Sequence, residues 1–464
     1  MSLLKTLKRQ HMNKLLLMLL LSGCATKNSY QVPDIEIPCQ WHTEIPATLS
    51  LECEECFPIQ DPNLNELLEL ASSQNLDLQI ACIRVLKARS IANGKKGDLY
   101  PRLDATFNAG TLQSKTFHKL LKCPSKNIFN FYEIGFDAEW EIDFFGKTAH
   151  EICALQAEAE ASQSQLSFLW ITLSAEIAKN YIELRGLQEQ KFLYEKLIGI
   201  MEKEMHLREE LIKRGLINER EFSELQSEMR GYEAELPLIE LAAKRSIHKI
   251  SILLGLNPGE LFPCLEEPRA LPQLPYRRPI GLPSELLQRR PDIQKAEWEL
   301  MAATEQVSTA IAALFPRLSL WGFIGEIGFP SSFTSAIGSQ ILVPLFNSRL
   351  LLQDVAYNKL STQEALFNYK KTVLEALEEA ENAISSYRAG EERLQFLEEA
   401  YAILLASLQR EEELHQKGVN SYLEVAKIAK QTLAKEEAYL KAQKEQLLNY
   451  LSIYKAMGGC WNTY

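Results

Sequence analysis

Beyond its first 21 residues, the sequence lacks any apolar run that approaches the roughly 20 residues of a membrane-spanning helix. If the chain crosses a membrane, it therefore does so with strands. Positive charge is also in deficit, with 50 Lys and Arg against 61 Asp and Glu and a formal net charge of −11. Because phosphate backbones are bound by clustered Lys and Arg, this balance argues against a nucleic-acid partner.

Catalytic motifs are lacking as well. The seven histidines are scattered, none in an HExxH arrangement, and the sequence has no GxSxG elbow, Walker loop or GxGxxG fingerprint. Glutamate runs such as Glu411-Glu412-Glu413 occur, but runs of this kind on long helices are typical of solvated faces. We therefore predict a protein that is not an enzyme and has no cofactor.

The nine cysteines are an odd count for a secreted disulfide framework. Cys53 and Cys56 form a CxxC pair, but no second pair or His-x-x-x-His completes a zinc spacing. Incidental cysteines or a local disulfide are therefore favoured, and no metal site is predicted. Cys82 and Cys153 fall on the apolar side of helical patterns and are predicted to be small core residues.

The amino terminus has the features of an export signal, because basic residues precede an apolar run over 15–21. The run ends in Leu21-Ser22-Gly23-Cys24, which resembles the bacterial lipobox, where cleavage leaves a diacylated cysteine as the first residue. An ordinary signal with a chance cysteine is the alternative. We predict a signal peptide over 1–23, starting at Met1 or Met12, and lipidation at Cys24. By the same resemblance, Ala25 implies transfer to the outer membrane.

The remaining sequence contains an internal duplication. Equivalent positions in the two copies are Asp77 and Asp292, Pro101 and Pro316, Gly215 and Gly418, and Gly255 and Gly458. The offset is 215 for the first two pairs and 203 for the last two, which a shorter connection in the second copy explains. We predict structural repeats over 63–256 and 284–461. A proline-rich linker over 257–283 separates them, and a tether over 24–62 precedes the first.

Each repeat has the pattern of a helix, two strands and two long helices. From about Lys147 to Ile212 apolar residues recur every three or four positions without a proline, which predicts a coiled-coil helix roughly 100 Å long. Its counterpart runs from about Arg349 to Gln416. Gly215 and Gly418 follow these helices and are predicted to be the residues at which the chain turns back.

Four strands are predicted, at about 101–111, 131–144, 316–326 and 333–346. In the second strand, apolar residues alternate with five acidic ones, Glu133, Asp137, Glu139, Glu141 and Asp143. Such alternation is typical of a membrane barrel strand with one lipid face and one wet face. A half-buried strand of a soluble sheet is the alternative, but unpaired carboxylates are costly in a dry core. We therefore predict that the five carboxylates face a watery lumen.

Four strands are too few to close a barrel, and open sheet edges are not viable in hydrocarbon. The missing strands must come from other chains. Three copies of four strands would give twelve, an even number within the range of outer-membrane barrels. Periodicity alone leaves the number of copies open.

Several stretches carry a family resemblance: WEIDFFGK (140–147), LPSELLQRRPDI (282–293), ALFPRLSL (313–320), VPLFN (343–347), GVNSYLEV (418–425) and YKAMGGCW (454–461). Together they resemble the TolC-like outer-membrane efflux family, in particular its RND-type efflux lipoprotein (NodT-like) branch. The resemblance covers about residues 60–461. It implies a mainly α fold in which a homotrimer completes a 12-stranded β-barrel on a long α-helical barrel.

The resemblance also implies location, function and partners. The channel would be lipid-anchored in the bacterial outer membrane with a long periplasmic extension, and would give drugs or other small molecules passive exit to the exterior. Its partners would be a periplasmic adaptor (membrane fusion protein), an inner-membrane RND transporter and outer-membrane lipid. A type I secretion duct is an alternative, which the lipobox and the segment around Arg289-Arg290-Pro291 disfavour. A periplasmic coiled-coil structural lipoprotein would not explain the paired strands.

The family closes its duct with acidic and polar residues just after the turn glycines. Glu221 and Glu424 each lie six residues after such a glycine and resemble the family's gate carboxylates, which are usually Asp. Leu423 matches a position where some members form an apolar constriction. A further family Asp is replaced by Lys427, which we expect to be a partner of Glu424 one turn away. Solvated helix surface is the alternative for both glutamates.

Overall fold

The computed structural model describes residues 33, 38, 40–46, 49–50, 57, 59, 61–113, 128–274, 278–279, 282–328, 332–346 and 348–459. Cys24, Cys53 and Cys56 lie outside them. The main elements are α1 (Pro62–Gln74), α2 (Leu76–Lys95), β1 (Arg102–Gln113), β2 (Ile128–Ile142), α3 (Lys147–Lys213), α4 (Glu219–Leu253), α5 (Pro291–Ala312), β3 (Arg317–Gly328), β4 (Ser332–Leu342), α6 (Ser348–Gln416) and α7 (Tyr422–Ala456).

The duplicated order of helices and strands predicted from the sequence is confirmed, except that the single first helix expected in the first repeat is divided at the extended residue Asn75 into α1 and α2. Helices α3 and α6 have 67 and 69 residues, and α4 and α7 have 35 each. Gly215 and Gly418 follow α3 and α6 with φ of 72° and 74°, a left-handed conformation that glycine adopts without steric cost. None of the helices in the described part of the chain combines the length and apolar character required to cross a bilayer.

The four strands form one antiparallel sheet in the order β1-β2-β3-β4. Strand β2 of the first repeat pairs with β3 of the second, with Trp140 opposite Leu320 and Phe136 opposite Ile324. The sheet therefore joins the hairpins of both repeats and leaves β1 and β4 as its edges.

The residues divide into two compact units, each drawing on both repeats. In the described part of the chain, one unit comprises Ile83–Gln163 and Lys295–Lys370 with their gaps and contains the sheet. The other comprises Ile35–Cys82, Ser164–Gln294 and Lys371–Tyr464. The core of this second unit includes fully buried side chains from α1, α3 and α4, among them Leu64, Ile177, Tyr181, Leu184 and Ile250.

Helix α1 shows how local sequence fixes an element in this second unit. Asp61 precedes the helix, and its carboxylate accepts hydrogen bonds from the amides of Asn63 (2.8 Å) and Leu64 (3.1 Å). Pro62 occupies the first helical position, where no intrahelical donor is needed. The buried hydroxyl of Tyr181 on α3 donates to the same carboxylate at 3.1 Å, so the cap also fixes α1 against α3.

Candidate functional site

The sheet has one acidic face, formed mainly by β2. Glu133, Asp137, Glu139 and Glu141 lie on the same face because successive side chains of a strand alternate. Asp104 of β1 stands directly opposite Asp137. Arg102 on the same face forms an ion pair with Asp104 at 2.7 Å, which leaves the carboxylates of β2 in excess. Unpaired carboxylates are costly in a dry core, so this face favours a hydrated environment.

Asp143 has a different place from the other four carboxylates. It lies one residue past the end of β2, which is at Ile142. Its carboxylate accepts hydrogen bonds from the amides of Thr148 (3.1 Å) and Ala149 (2.7 Å) at the start of α3. Asp143 therefore satisfies free donors in the first turn of α3.

The opposite face of the sheet is mainly apolar, with Glu326 of β3 as an acidic residue that accepts a hydrogen bond from the Tyr132 hydroxyl at 3.0 Å. Leu103, Ala105 and Phe107 of β1 pair with Ala138, Phe136 and Ile134 of β2 in register. The same face continues across β3 to β4, where Phe333, Ile337 and Ile341 are 77%, 90% and 67% exposed. An apolar surface of this extent on a single chain marks an interaction or membrane surface.

The second hairpin contributes differently to the acidic face. Trp321 and Phe323 of β3 lie directly opposite Glu139 and Asp137, so aromatic rings border the carboxylates. The sequence reasoning missed this arrangement. The alternation in β3 is weak, and only the register between the two repeats brings these residues together.

In the second unit, the turn between α3 and α4 has a network of charged side chains. Glu221 lies in the first turn of α4, and its Oε2 is 3.1 Å from Nη1 of Arg208 on α3. Arg208 also binds Glu204 one turn earlier, at 2.7 Å from Nη2 to Oε1. Glu221 is therefore held within its own chain.

Glu204 is the buried centre of that network, with its side chain 3% exposed. Nζ of Lys430 on α7 lies 3.2 Å from Oε2 of Glu204 and 3.6 Å from Oε2 of Glu228 on α4. One carboxylate thus joins basic residues from both repeats. Burial, together with the negative charge of Glu204, raises the pKa of the nearby Tyr422 hydroxyl, which keeps that side chain neutral.

The turn between α6 and α7 lacks an equivalent network. Glu424 and Lys427 are exposed and Leu423 is half-buried. Among the described residues, no ion pair links Glu424 to Lys427 or to another basic side chain. The expected pairing of these two residues is therefore not present within one chain.

The segment around 282–293 has a structural role in the second unit. Arg290 is 5% exposed, and its guanidinium donates to the carbonyl of Ala456 (2.8 Å), to Asp292 (2.7 Å) and to Glu379 on α6 (2.8 Å). Burial opposes ionisation of Glu379, but the hydrogen bonds and charges of Arg290 and Lys455 outweigh it and lower the Glu379 pKa. The cluster fixes the start of α5 against α6 and the end of α7.

Helix α3 also holds the linker between the repeats. Arg185, 0% exposed, donates to the carbonyl of Glu267 at 2.8 Å, and Gln188 donates to that of Leu265 at 2.8 Å. The amide of Leu271 donates to Glu189 at 3.0 Å. Burial raises the pKa of Glu189, only partly offset by that hydrogen bond.

Helix α6 holds the segment before the first repeat in a comparable way. The amides of His42 (2.7 Å) and Thr43 (3.2 Å) and the Thr43 hydroxyl (2.8 Å) all donate to the Glu381 carboxylate. Glu44 forms an ion pair with Arg388 at 3.0 Å. Burial opposes ionisation of Glu381, but these hydrogen bonds outweigh it and lower the Glu381 pKa.

Cys82 and Cys153 are both exposed in the protein, so their prediction as core residues was wrong. On α2 the buried positions are Leu78, Ala81, Val85 and Ala92, and Cys82 lies beside that stripe. Within the described residues, no group of His, Cys, Asp and Glu side chains is arranged to hold a metal ion.

Comparison with known proteins identifies related channels. Residues 67–256 and 282–459 match the model of the outer membrane efflux protein family. The solvent efflux pump outer membrane protein SrpC of Pseudomonas putida is 26% identical over 463 residues, 96% of this chain and 97% of its own length. The probable outer membrane lipoprotein SilC of Salmonella typhimurium is 24% identical over 460 residues, 95% and 97% of the two chains.

Solved structures show the same fold. The structure of the outer-membrane channel OprN superposes with a TM-score of 0.80 at 29% identity, covering 93% of this chain and 98% of that one. VceC of Vibrio cholerae, an outer membrane protein, superposes with a TM-score of 0.77 at 24% identity over 87% of this chain and 100% of that one.

Proposed function

This chain belongs to the outer membrane efflux protein family, and on that premise we propose that it is the passive exit channel through which an efflux pump releases small molecules from the periplasm. One observation carries the proposal: the two-faced sheet. Its apolar face suits lipid contact, and its acidic face suits a water-filled passage.

The unpaired edges of the sheet support assembly of several chains. In the described sheet, β1 and β4 each have a neighbour on one side only. An open edge leaves backbone donors and acceptors without partners in hydrocarbon, so β4 of one chain would pair with β1 of the next. A homotrimer, the assembly that the family resemblance implies, would close the ring with twelve strands.

Lipidation of Cys24 would anchor each chain to the outer membrane. In the described part of the amino-terminal segment, His42 and Thr43 are fixed by hydrogen bonds to Glu381. The 18 residues from Cys24 to His42 reach at most about 65 Å when extended. Because of the lipobox that ends at Cys24, mass spectrometry of the mature amino terminus should find an acylated Cys24 and no residues 1–23. A mature protein with a free amine elsewhere would contradict the assignment.

The partners follow from the role in a pump. We infer a periplasmic adaptor and an inner-membrane RND transporter as the other two components. The relatives are named for different cargo, including solvents for SrpC, pyoverdine for OpmQ of Pseudomonas aeruginosa and cations for CusC of Escherichia coli. That variety supports a permissive duct, with the substrate selected by the inner-membrane transporter.

Single-channel recording of the purified assembly in a planar bilayer tests this function. Conductance is expected, and reversal potentials in a salt gradient should indicate cation preference, because each acidic residue of β2 would recur in every subunit around one lumen. Glu139→Gln should reduce that preference, whereas Glu378→Gln on an exposed face of α6 should not. Intact assemblies without conductance would favour a structural lipoprotein, and anion preference would contradict an acidic lumen.

A further inference from the structure

Two aromatic side chains lie on the acidic face of the sheet, where a purely aqueous passage does not require them. Trp321, 46% exposed, lies between Glu139 of β2 and Gly338 of β4 in the strand register. Phe323 lies between Asp137 and Ala336. Both rings therefore share a surface with carboxylates.

Glycines beneath the rings let them lie flat on the sheet. A Cβ atom built on Gly338 would lie 2.6 Å from two ring carbons of Trp321, and one built on Gly135 would lie 2.7 Å from a ring carbon of Phe323. These contacts require the rings to extend over the neighbouring backbone. A flat ring directs one π-face away from the sheet.

The ring of Phe323 lies close to two of the carboxylates on the acidic face. Gly135 stands two residues from both Glu133 and Asp137, so the ring lies over the strand between two carboxylates of the same face. Except for a long 3.5 Å contact from Asn108 to Glu133, no hydrogen bond or ion pair of the described residues engages the carboxylates of Glu133, Asp137 and Glu139. Arg102 stands opposite Glu139 in the strand register, but its Nε lies 2.7 Å from Oδ2 of Asp104, so the charge of the three carboxylates is available to a ligand.

We propose that this surface, formed by Glu133, Asp137, Glu139, Trp321 and Phe323, binds organic cations that carry apolar groups, such as quaternary ammonium compounds. The cation would lie over a ring face and beside a carboxylate, because the quadrupole of an aromatic ring and a negative charge both attract it. A hydrated metal ion gains little from the rings, and a neutral aromatic compound gains little from the carboxylates. The inference rests on the proposed function, in which this face lines the channel.

Binding of benzyltrimethylammonium to the purified, detergent-solubilised assembly, measured by isothermal titration calorimetry, tests the proposal without requiring conduction. Benzyl alcohol is the neutral probe. Trp321→Leu should weaken benzyltrimethylammonium binding roughly two- to fivefold, the equivalent of one exposed cation–π contact. Glu139→Gln should also weaken it. Phe333→Leu, which removes an exposed ring from the opposite face, is the matched control and should bind as the unmodified protein does.

The outcomes separate the inference from the proposed function. Equal binding of the two probes, or unchanged affinity in both Trp321→Leu and Glu139→Gln, would overturn the inference and leave the rings with the structural role of covering glycines. If Trp321→Leu fails to assemble on size-exclusion chromatography, the benzyltrimethylammonium affinities of Phe323→Leu and Glu139→Gln decide, and unchanged affinity in both would overturn the inference. Cation binding with the expected losses in an assembly that does not conduct would support the surface and contradict the channel.

Discussion

Glu221, after the first turn glycine, lies 3.1 Å from Arg208 of its own chain, whereas the equivalent Glu424 of the second repeat is exposed and has no ion-pair partner in the described chain. The backbones of the two turns are nearly alike, with glycine φ angles of 72° and 74°. The difference is therefore in the side chains. At the offset of 203, Arg208 corresponds to Glu411 and Glu204 to Ser407, so the second turn has neither member of the network.

This comparison indicates different roles for the two turns. In the first, the charges are neutralised within the chain, which favours a fixed structure. In the second, Glu411 accepts a hydrogen bond from the Asn420 side chain at 2.6 Å, and Glu424 and Lys427 remain available. Contacts from a neighbouring chain or an adaptor can therefore act on the second turn. Such contacts would shift the equilibrium between a closed and an open state only if they bind one of the two states more tightly.

The largest expected effect comes from removing Glu204, the buried carboxylate at the centre of the network at the first turn. Glu204→Gln removes the buried carboxylate shared by Arg208 and Lys430 and leaves each with one exposed partner, Glu221 for Arg208 and Glu228 for Lys430. We expect the free energy of unfolding to fall by about 2–3 kcal/mol, less than the roughly 3–5 kcal/mol of a fully buried pair, because both cations are about one-fifth exposed and each keeps a second carboxylate. Thermal unfolding of the solubilised assembly, followed by circular dichroism, measures the loss.

Glu228→Gln is the matched control for that variant, since it removes the other carboxylate near Lys430. Glu228 is 48% exposed and 3.6 Å away, so its loss should cost less than about 0.5 kcal/mol. Equal losses of unfolding free energy in Glu204→Gln and Glu228→Gln would show that the burial of Glu204 does not add to its contribution to stability.

The second prediction concerns closure at the second turn. Because Glu424 and Lys427 do not pair within one chain, we propose that they are held across subunits in the closed state, with Leu423 as an apolar collar. Glu424→Ala and Lys427→Ala should each raise resting conductance several-fold, and Leu423→Ala should do so as well. Glu378→Ala, on an exposed face of α6, should not change it. If all three gate variants conduct like the unmodified assembly, closure lies elsewhere.

Much of this architecture was accessible from sequence because it depends on local periodicity and on the duplication. The long helices α3 and α6, the turn glycines and the alternation in β2 are all local patterns. By contrast, Arg208 and Lys430 join Glu204 from helices that are distant in sequence, and no local pattern predicts that contact. Trp321 was missed for the same reason.

The sequence signal also fails where burial depends on helix rotation by a single position. Cys82 and Cys153 follow apolar patterns yet are exposed, since adjacent helical positions differ by about 100°. Asp143 ends an alternating run in sequence but caps a helix in the structure. Alternation cannot locate the residue at which a strand ends, because the next helix competes for the same side chain.

A third prediction compares the segments held by α3 and α6. The lowered pKa of Glu381 means that its contribution is present above the unfolded carboxyl pKa, about 4.3, and is lost as pH falls through the folded value. The raised pKa of Glu189 has the opposite sign: its contribution is present below about 4.3 and is lost as pH rises through the folded value. Hydrogen-exchange protection, corrected for intrinsic rates, should fall with acid at the Thr43 amide and with rising pH at the Leu271 amide.

Substitution of each carboxylate provides the control for these trends. Glu381→Gln should abolish the pH dependence at Thr43 and leave that at Leu271 unchanged, and Glu189→Gln should do the reverse. Parallel pH trends at both amides would mean that global stability, and not the two local carboxylates, governs exchange.

The smallest expected effect comes from giving the second turn the basic residue of the first. Glu411→Arg places a guanidinium at the position equivalent to Arg208, thirteen residues before Glu424. The substitution also removes the hydrogen bond from Asn420, so its net effect on stability mixes a loss with a gain.

A double-mutant cycle with Glu424→Ala isolates the new ion pair, for which we expect a favourable coupling of about 0.5 kcal/mol, typical of an exposed pair. Thermal unfolding of the four proteins measures the coupling, and high salt should reduce it. A coupling of zero would mean that the second turn differs from the first in more than this one residue.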